Sequence, residues 1–257
     1  MSYTWIDTHA HLMSDGMYEN FEDIKRNAHE HNVHKICIIC GNLQQVERFI
    51  KTCEDDPMFD MALGVHPTSA KEVSQEEFQK MLEYVKHPQV KFIGEIGLDY
   101  YWDDSYKDIQ KDYFIRQIEI ANKYNLPISI HMRDSSDDVY EILKAYPVNR
   151  KGIAHCFTDG VVSAQRFIDL GYYIGVGGIV TFKNGENVQA LIKELPFDKI
   201  LSETDSPYLS PVPFRGKPNQ PAYVSYVGKE IAKLKGISEE EALKQLESNY
   251  KTLLEAL

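Results

Sequence analysis

The sequence predicts a (β/α)8 barrel, on three observations. Eight short β-rich runs alternate with amphipathic stretches from end to end. The starts of successive runs lie mostly about 20–37 residues apart, the repeat expected of βα units with parallel strands. A length of 257 residues suits a barrel closed as one unit, so 1–257 reads as a single domain.

In chain order, the first strand, Thr4–His11, leads into a helix over Tyr18–His31, and the second, Lys35–Gly41, into Gln44–Glu54. The third, Asp60–His66, precedes a helix over Glu76–Lys86, where Ser74 and Glu77 have capping-box spacing. The fourth, Val90–Leu98, precedes Ile109–Tyr124, which Leu126-Pro127 stops because a residue before proline is pushed out of the helical region. Ile128–Met132 pairs with Asp137–Ala145, Gly152–Phe157 with Val162–Leu170, and Tyr172–Val180 with Glu186–Glu194; Ile200–Asp205 is the eighth strand. The first strand ends in His9-Ala10-His11 and not in a glycine-rich phosphate loop, which disfavours an open doubly wound sheet. Gly175, Gly177 and Gly178 read as close backbone packing. Pro207–Pro221 reads as a loop at the barrel mouth. Helices over Ala222–Lys235 and Ser238–Leu257 close the chain, the second with a capping box of Ser238 and Glu241.

Composition narrows the function. Hydrophobic content of 43% and charged content of 26% are globular values. No apolar run approaches the roughly 18 residues of a membrane span, and Met1-Ser2-Tyr3-Thr4-Trp5 is no signal peptide, so a cytoplasmic protein without membrane contact is expected. Cys37 and Cys40 have the spacing of half a zinc site, but on a strand they point to opposite faces and read as buried core. The 28 basic and 39 acidic side chains leave a net charge of −11, which disfavours a protein that coats duplex DNA but not an enzyme that grips one or two phosphates.

Five of the nine histidines fall at carboxy ends of predicted strands: His9, His11, His66, His131 and His155. Active sites of barrels form at that face. His9 and His11, two apart, project together and can meet one metal ion. Glu95 joins from the fourth strand, and Glu203 and Asp205, again two apart, from the eighth. Converging carboxylates repel one another unless a cation compensates them. Histidine and carboxylate ligation without cysteine suits Zn²⁺, Mn²⁺ or Mg²⁺. More than four candidate ligands implies two divalent ions, bridged by a carboxylate such as Glu95, and two ions about 3.5–4 Å apart can activate water and clamp a leaving oxygen. Asp205 is the expected general base, with Glu203 its alternative; Glu203 could also be a salt-bridge partner of a cation. Arg133 shares a face with His131 and can contact phosphate, or pair with Asp134 or Asp137.

The runs Ile6-Asp7-Thr8-His9-Ala10-His11, Gly64-Val65-His66-Pro67, Gly94-Glu95-Ile96-Gly97-Leu98-Asp99-Tyr100, His131-Met132-Arg133, His155-Cys156-Phe157, Glu203-Thr204-Asp205-Ser206-Pro207-Tyr208 and Arg215-Gly216-Lys217-Pro218-Asn219-Gln220-Pro221 together resemble the TatD-type metal-dependent deoxyribonucleases of the amidohydrolase superfamily. The resemblance spans essentially the whole chain. It implies a divalent-metal centre and hydrolysis of DNA by attack of an activated water, trimming single strands from the 3′ end, with no obligate protein partner evident. It implies metal ligation by His9, His11, Glu95, His131, His155 and Asp205, with Glu203 an extra ligand. Arg215 and Lys217, after the eighth strand, are expected at the substrate phosphates, His66 either at the scissile phosphate or beside the metal-bound water, and Tyr100, Tyr101 and Trp102 either stack on bases or pack a helix. Cys156 stands where the family usually has serine; its side chain is expected to point away from the face of His155. Two other readings stay open: hydrolysis of a small cyclic amide, lactone or phosphoester, and a non-catalytic metal-binding module. The first would use a carbamylated lysine where this chain has Glu95.

Overall fold

Runs of β-branched and apolar residues with no polar face need cover on both sides, and a parallel barrel wrapped in helices provides it. The computed structural model describes residues 3–255. Its strands are β1 (Trp5–Ala10), β2 (Val33–Cys40), β3 (Phe59–Leu63), β4 (Val90–Asp99), β5 (Ile128–Arg133), β6 (Gly152–Ala154), β7 (Tyr173–Val176) and β8 (Ile200–Ser202). They pair in parallel in chain order, each neighbour to the next. Helices α1 (Phe21–Glu30), α2 (Leu43–Cys53), α3 (Gln75–Glu83), α4 (Lys107–Tyr124), α5 (Ser136–Ala145), α6 (Val161–Asp169) and α7 (Glu186–Glu194) alternate with them, and α8 (Val224–Lys235) and α9 (Glu239–Glu255) follow. This is the (β/α)8 barrel that the sequence predicts. Among the described residues no helix is long and apolar enough to cross a membrane.

The ring is nearly closed. Between β1 and β8 the ladder shrinks to an isolated bridge of Ala10 with Ser206, flanked by Asp205 N–H to His9 O at 2.9 Å and His11 N–H to Ser206 O at 2.8 Å. Side chains sew the rest of the seam. Asp7 accepts from the Thr204 N–H at 2.8 Å and from its hydroxyl at 2.5 Å, and the Ser202 hydroxyl donates to Ile6 O at 3.0 Å. Burial pushes the Asp7 carboxyl up to about 8.

Inside the barrel, Ile6, Cys37, Ile39, Phe92, Ile153 and Leu201 form a small core, and Tyr250 and Leu253 of α9 close its lower end. The Tyr250 hydroxyl donates to Asp60, whose other oxygen takes Lys35. Cys40 lies instead in the outer core between strands and helices, so the two cysteines do face apart. Gly228 lets α8 sit on Trp5: a Cβ there would stand 2.2 Å from the indole ring.

Several strands end earlier than the sequence suggests, β3 at Leu63, β6 at Ala154, β7 at Val176 and β8 at Ser202. The chain there leaves the ladder to build the mouth, and Cys156 and Asp205 take left-handed backbone with φ of 44° and 55°. Tyr18–Asn20, Tyr84–Lys86 and Pro221–Tyr223 are short 3₁₀ turns at predicted helix ends. Ser238 caps α9 reciprocally with Glu241, while Ala256 and Leu257 lie outside the described residues.

Candidate metal centre

Two buried glutamines of α4 fix the strand ends that frame the site. Gln117 accepts from Val65 N–H at 2.7 Å and donates to Val65 O, which sets His66; Gln110 brackets Asp99 in the same way at 2.8 Å. The Ser135 hydroxyl donates to Leu98 O and accepts from Arg133 N–H, tying β4 to the end of β5. The register of β1 on β2 slips between Asp7 and Ala10, and that of β4 on β5 between Ile93 and Ile96, so irregular pairing occurs where His9 and Glu95 turn toward the centre.

Glu95 is the hub. Its carboxylate, 3% exposed, lies 2.7 Å from His131 Nδ1, 2.8 Å from His155 Nε2, 3.3 Å from His9 Nε2, 3.7 Å from His11 Nε2 and 3.9 Å from His66 Nε2. Burial works to raise this carboxyl, but His155, His9, His131 and His66 outweigh it and hold it well below the usual range. Asp205 Oδ1 approaches His11 at 3.3 Å and His9 at 3.8 Å, and those two imidazoles bring their Nε2 atoms within 3.3 Å of each other. Nitrogen lone pairs this close repel unless a proton or cation lies between them.

The outer nitrogens are held too. His9 Nδ1 meets the Ser129 hydroxyl at 3.4 Å, His155 Nδ1 donates to Glu203 at 3.2 Å, and His131 Nε2 donates to Asp99 at 2.9 Å. Burial opposes charge on His131 and His155, yet their carboxylate neighbours raise both above the ordinary histidine range. His66 differs: its Nδ1 accepts from Thr68 N–H at 3.2 Å, which leaves the proton on Nε2, facing the cavity. Burial pushes this imidazole down to about 3, so it is a neutral donor. Among the described residues the ligand-competent atoms fall into three groups, two of which share His9: His9, His11 and Asp205; His9, His155 and Glu203; and His66, Glu95 and His131. Donors of this type fit a divalent cation, and so does the buried Glu203 Oε2, which has no hydrogen-bond partner among the described residues.

Every residue that the sequence places at the centre converges there, with corrections of role and direction. Glu203 is fully buried beneath His155, accepts from Cys156 N–H at 2.6 Å, and packs where a Cβ on Gly175 would meet its oxygen at 2.4 Å. It lies behind His155 and does not line the cavity, whereas Asp205 does. Cys156 does line the cavity, because left-handed backbone breaks the strand alternation that would turn it away. Arg215 and Lys217 lie outside the lining; the Arg215 guanidinium stacks 3.7 Å from the Phe182 ring. Arg133 pairs with neither aspartate but stacks 3.6 Å over Tyr101, at the edge of a cavity of about 820 Å³ that Trp102 and Tyr208 also line. Tyr100 is tied to Asp138 and packs α5. Asp99 and Ser129 were not singled out, although Glu95, Gly97 and Asp99 have the period of one strand face, which could have found Asp99.

The sequence profile of TatD-related DNases matches residues 6–255. The chain belongs to this family. It is similar to the uncharacterised metal-dependent hydrolase YabD of Bacillus subtilis, 40% identical over 96% of this chain and 97% of that protein. It is also similar to the uncharacterised metal-dependent hydrolase YcfH of Escherichia coli K12, 35% identical over 96% and 94%. The crystal structure of YjjV, a TatD homologue from Escherichia coli K12, superposes with a TM-score of 0.91 at 31% identity, covering 97% of each chain. Family membership makes this chain a metal-dependent hydrolase of the TatD type.

Proposed function

We propose that this hydrolase cleaves phosphodiester bonds of DNA, taking nucleotides from single-stranded or frayed 3′ ends with two divalent cations, Zn²⁺, Mn²⁺ or Mg²⁺. His9, His11 and Asp205 would hold one, His131 and His155 the other, and Glu95 would join both. Bound there, the cations would acidify water and take up charge on the phosphate. Asp205 faces the cavity and accepts the proton of the attacking water as its oxygen bonds to phosphorus and the P–O bond to the leaving group breaks. His66, neutral and with its proton on Nε2, donates to an oxygen of the scissile phosphate, and Arg133 offers its guanidinium to that same phosphate. Ser129, Asp99 and Glu203 keep His9, His131 and His155 oriented.

The observation that carries this reading is Glu95 amid five imidazoles, a donor set without lysine or cysteine ligands and open to a cavity lined by an arginine and two exposed aromatic rings. The test is incubation of metal-reconstituted protein with end-labelled single-stranded DNA beside a dihydropyrimidine. Stepwise loss of 3′ nucleotides, stopped by EDTA, is the expected result. Turnover of the dihydropyrimidine alone, or nuclease activity that survives chelation and desalting, refutes it. Replacing His9 and His11 together by alanine lowers bound metal in elemental analysis with a native circular dichroism spectrum.

A further inference from the structure

Charge around the mouth is not evenly spread. Around the loops after β1, β3 and β4 the nearby cations are neutralised, Arg48 of α2 by Asp15 at 2.8 Å, Lys71 by Asp103 at 3.0 Å and Lys107 at the start of α4 by Asp104 at 3.0 Å. Exposed Asp134 and Asp159 follow β5 and β6. Beyond β7 and β8 the sign reverses: Lys183, Arg215 and Lys217 are exposed, and among the described residues none has a carboxylate oxygen within 4.0 Å. Phe182 under the Arg215 guanidinium and the 2.9 Å bond from Val212 N–H to the Thr181 hydroxyl lock the two loops into one ridge. Across the cavity, Arg133 is the one Lys or Arg among the described residues of the lining, stacked on Tyr101 with Trp102 beside it. Trp102 is 70% exposed and Tyr208, toward the ridge, 60%.

We propose that a single strand lies across the mouth in one direction, its end stopped at Arg133 and Trp102 and its body running past Tyr208 over the ridge of Lys183, Arg215 and Lys217. This rests on the reading of DNA as substrate. A polyanion leaving the cavity is repelled along the aspartate-bearing rim and neutralised along the ridge, so the ridge is the one direction in which each added phosphate gains a counter-charge. Exposed aromatic rings at both sides give bases a stacking surface without regard to sequence. Arg133 therefore serves every substrate, however short, whereas the ridge serves only strands long enough to reach it, and chain length becomes the specificity variable.

The experiment compares oligothymidylates of two and twelve nucleotides, using fluorescence anisotropy for binding and kcat/KM with the metal-loaded enzyme. In Lys183→Ala/Arg215→Ala/Lys217→Ala, all exposed positions, the slope of log affinity against log salt for the 12-mer becomes shallower by about 2, three contacts at about 0.7 each. The preference for the 12-mer over the dinucleotide falls at least about tenfold. Arg133→Ala weakens both lengths alike and leaves their ratio standing. An unchanged salt slope in the triple variant, or a length preference lost in Arg133→Ala but kept in the triple variant, overturns the track while leaving DNA hydrolysis intact. Failure to bind or cleave either length overturns the DNA reading itself and the track with it.

Discussion

Asp99→Asn isolates the link between a carboxylate and the imidazole it orients. Asp99 is 2% exposed; Oδ2 accepts from His131 Nε2 at 2.9 Å and Oδ1 from Tyr101 N–H at 3.0 Å. Asparagine has the same shape but a single acceptor oxygen, so serving His131 turns its amide nitrogen against another N–H, and serving Tyr101 turns it against His131. A charge-assisted hydrogen bond contributes about 1.5–3 kcal/mol and a neutral one about 0.5–1.5, so the exchange costs about 1–1.5 kcal/mol. That is about a 5–10-fold loss of metal affinity, at the lower edge of the roughly 10–100-fold effect of outer partners on metal sites. Competition against a chromophoric zinc chelator reads the loss directly, and a thermal melt of the metal-free variant separates it from unfolding. Wild-type affinity in a folded Asp99→Asn protein would show that Asp99 does not orient His131 for a metal ion.

Three further outcomes follow from the same geometry. Asp205→Asn retains metal and DNA binding but loses roughly 10²–10⁴ in kcat, whereas Glu95→Gln is partly rescued by excess Mn²⁺ because it weakens a cation and leaves the base in place; single-turnover cleavage across a metal titration tells the two apart. In the metal-free protein the carboxylates around His131 and His155 raise both imidazoles, so a cation must displace protons: affinity rises with pH, and calorimetry in buffers of different ionisation enthalpy detects the release. Gly228→Ala drives a methyl group into Trp5, an overpacking that costs about 1–3 kcal/mol and lowers Tm without changing the metal stoichiometry.

Much of the site was legible because strand periodicity is short-ranged. Two-residue spacing was enough to align His9 with His11, and position at strand ends was enough to aim His131, His155 and Glu95 at one point. The same rule failed at Cys156, where left-handed backbone reverses the side chain, and at Glu203, which lies below the floor of the cavity although it is two residues from Asp205. Ser129 was out of reach for a different reason: its contact with His9 spans 120 positions and exists only once the barrel has closed. Lys183 carried no local signal either. Its neighbourhood with Arg215 and Lys217 comes from Phe182 packing against a loop more than thirty residues away.

The plug that α9 sets in the lower end of the barrel governs traffic through the site. With Tyr250 and Leu253 filling that end and Tyr250 anchored to Asp60, the barrel is a cul-de-sac. Reactant, water and product all share one doorway, and nothing can thread through the axis. Whatever is cut reaches the metal-ligating cluster only from above the mouth, and every piece leaves by the same side. A piece that lingers there acts as a stopper against the next reactant.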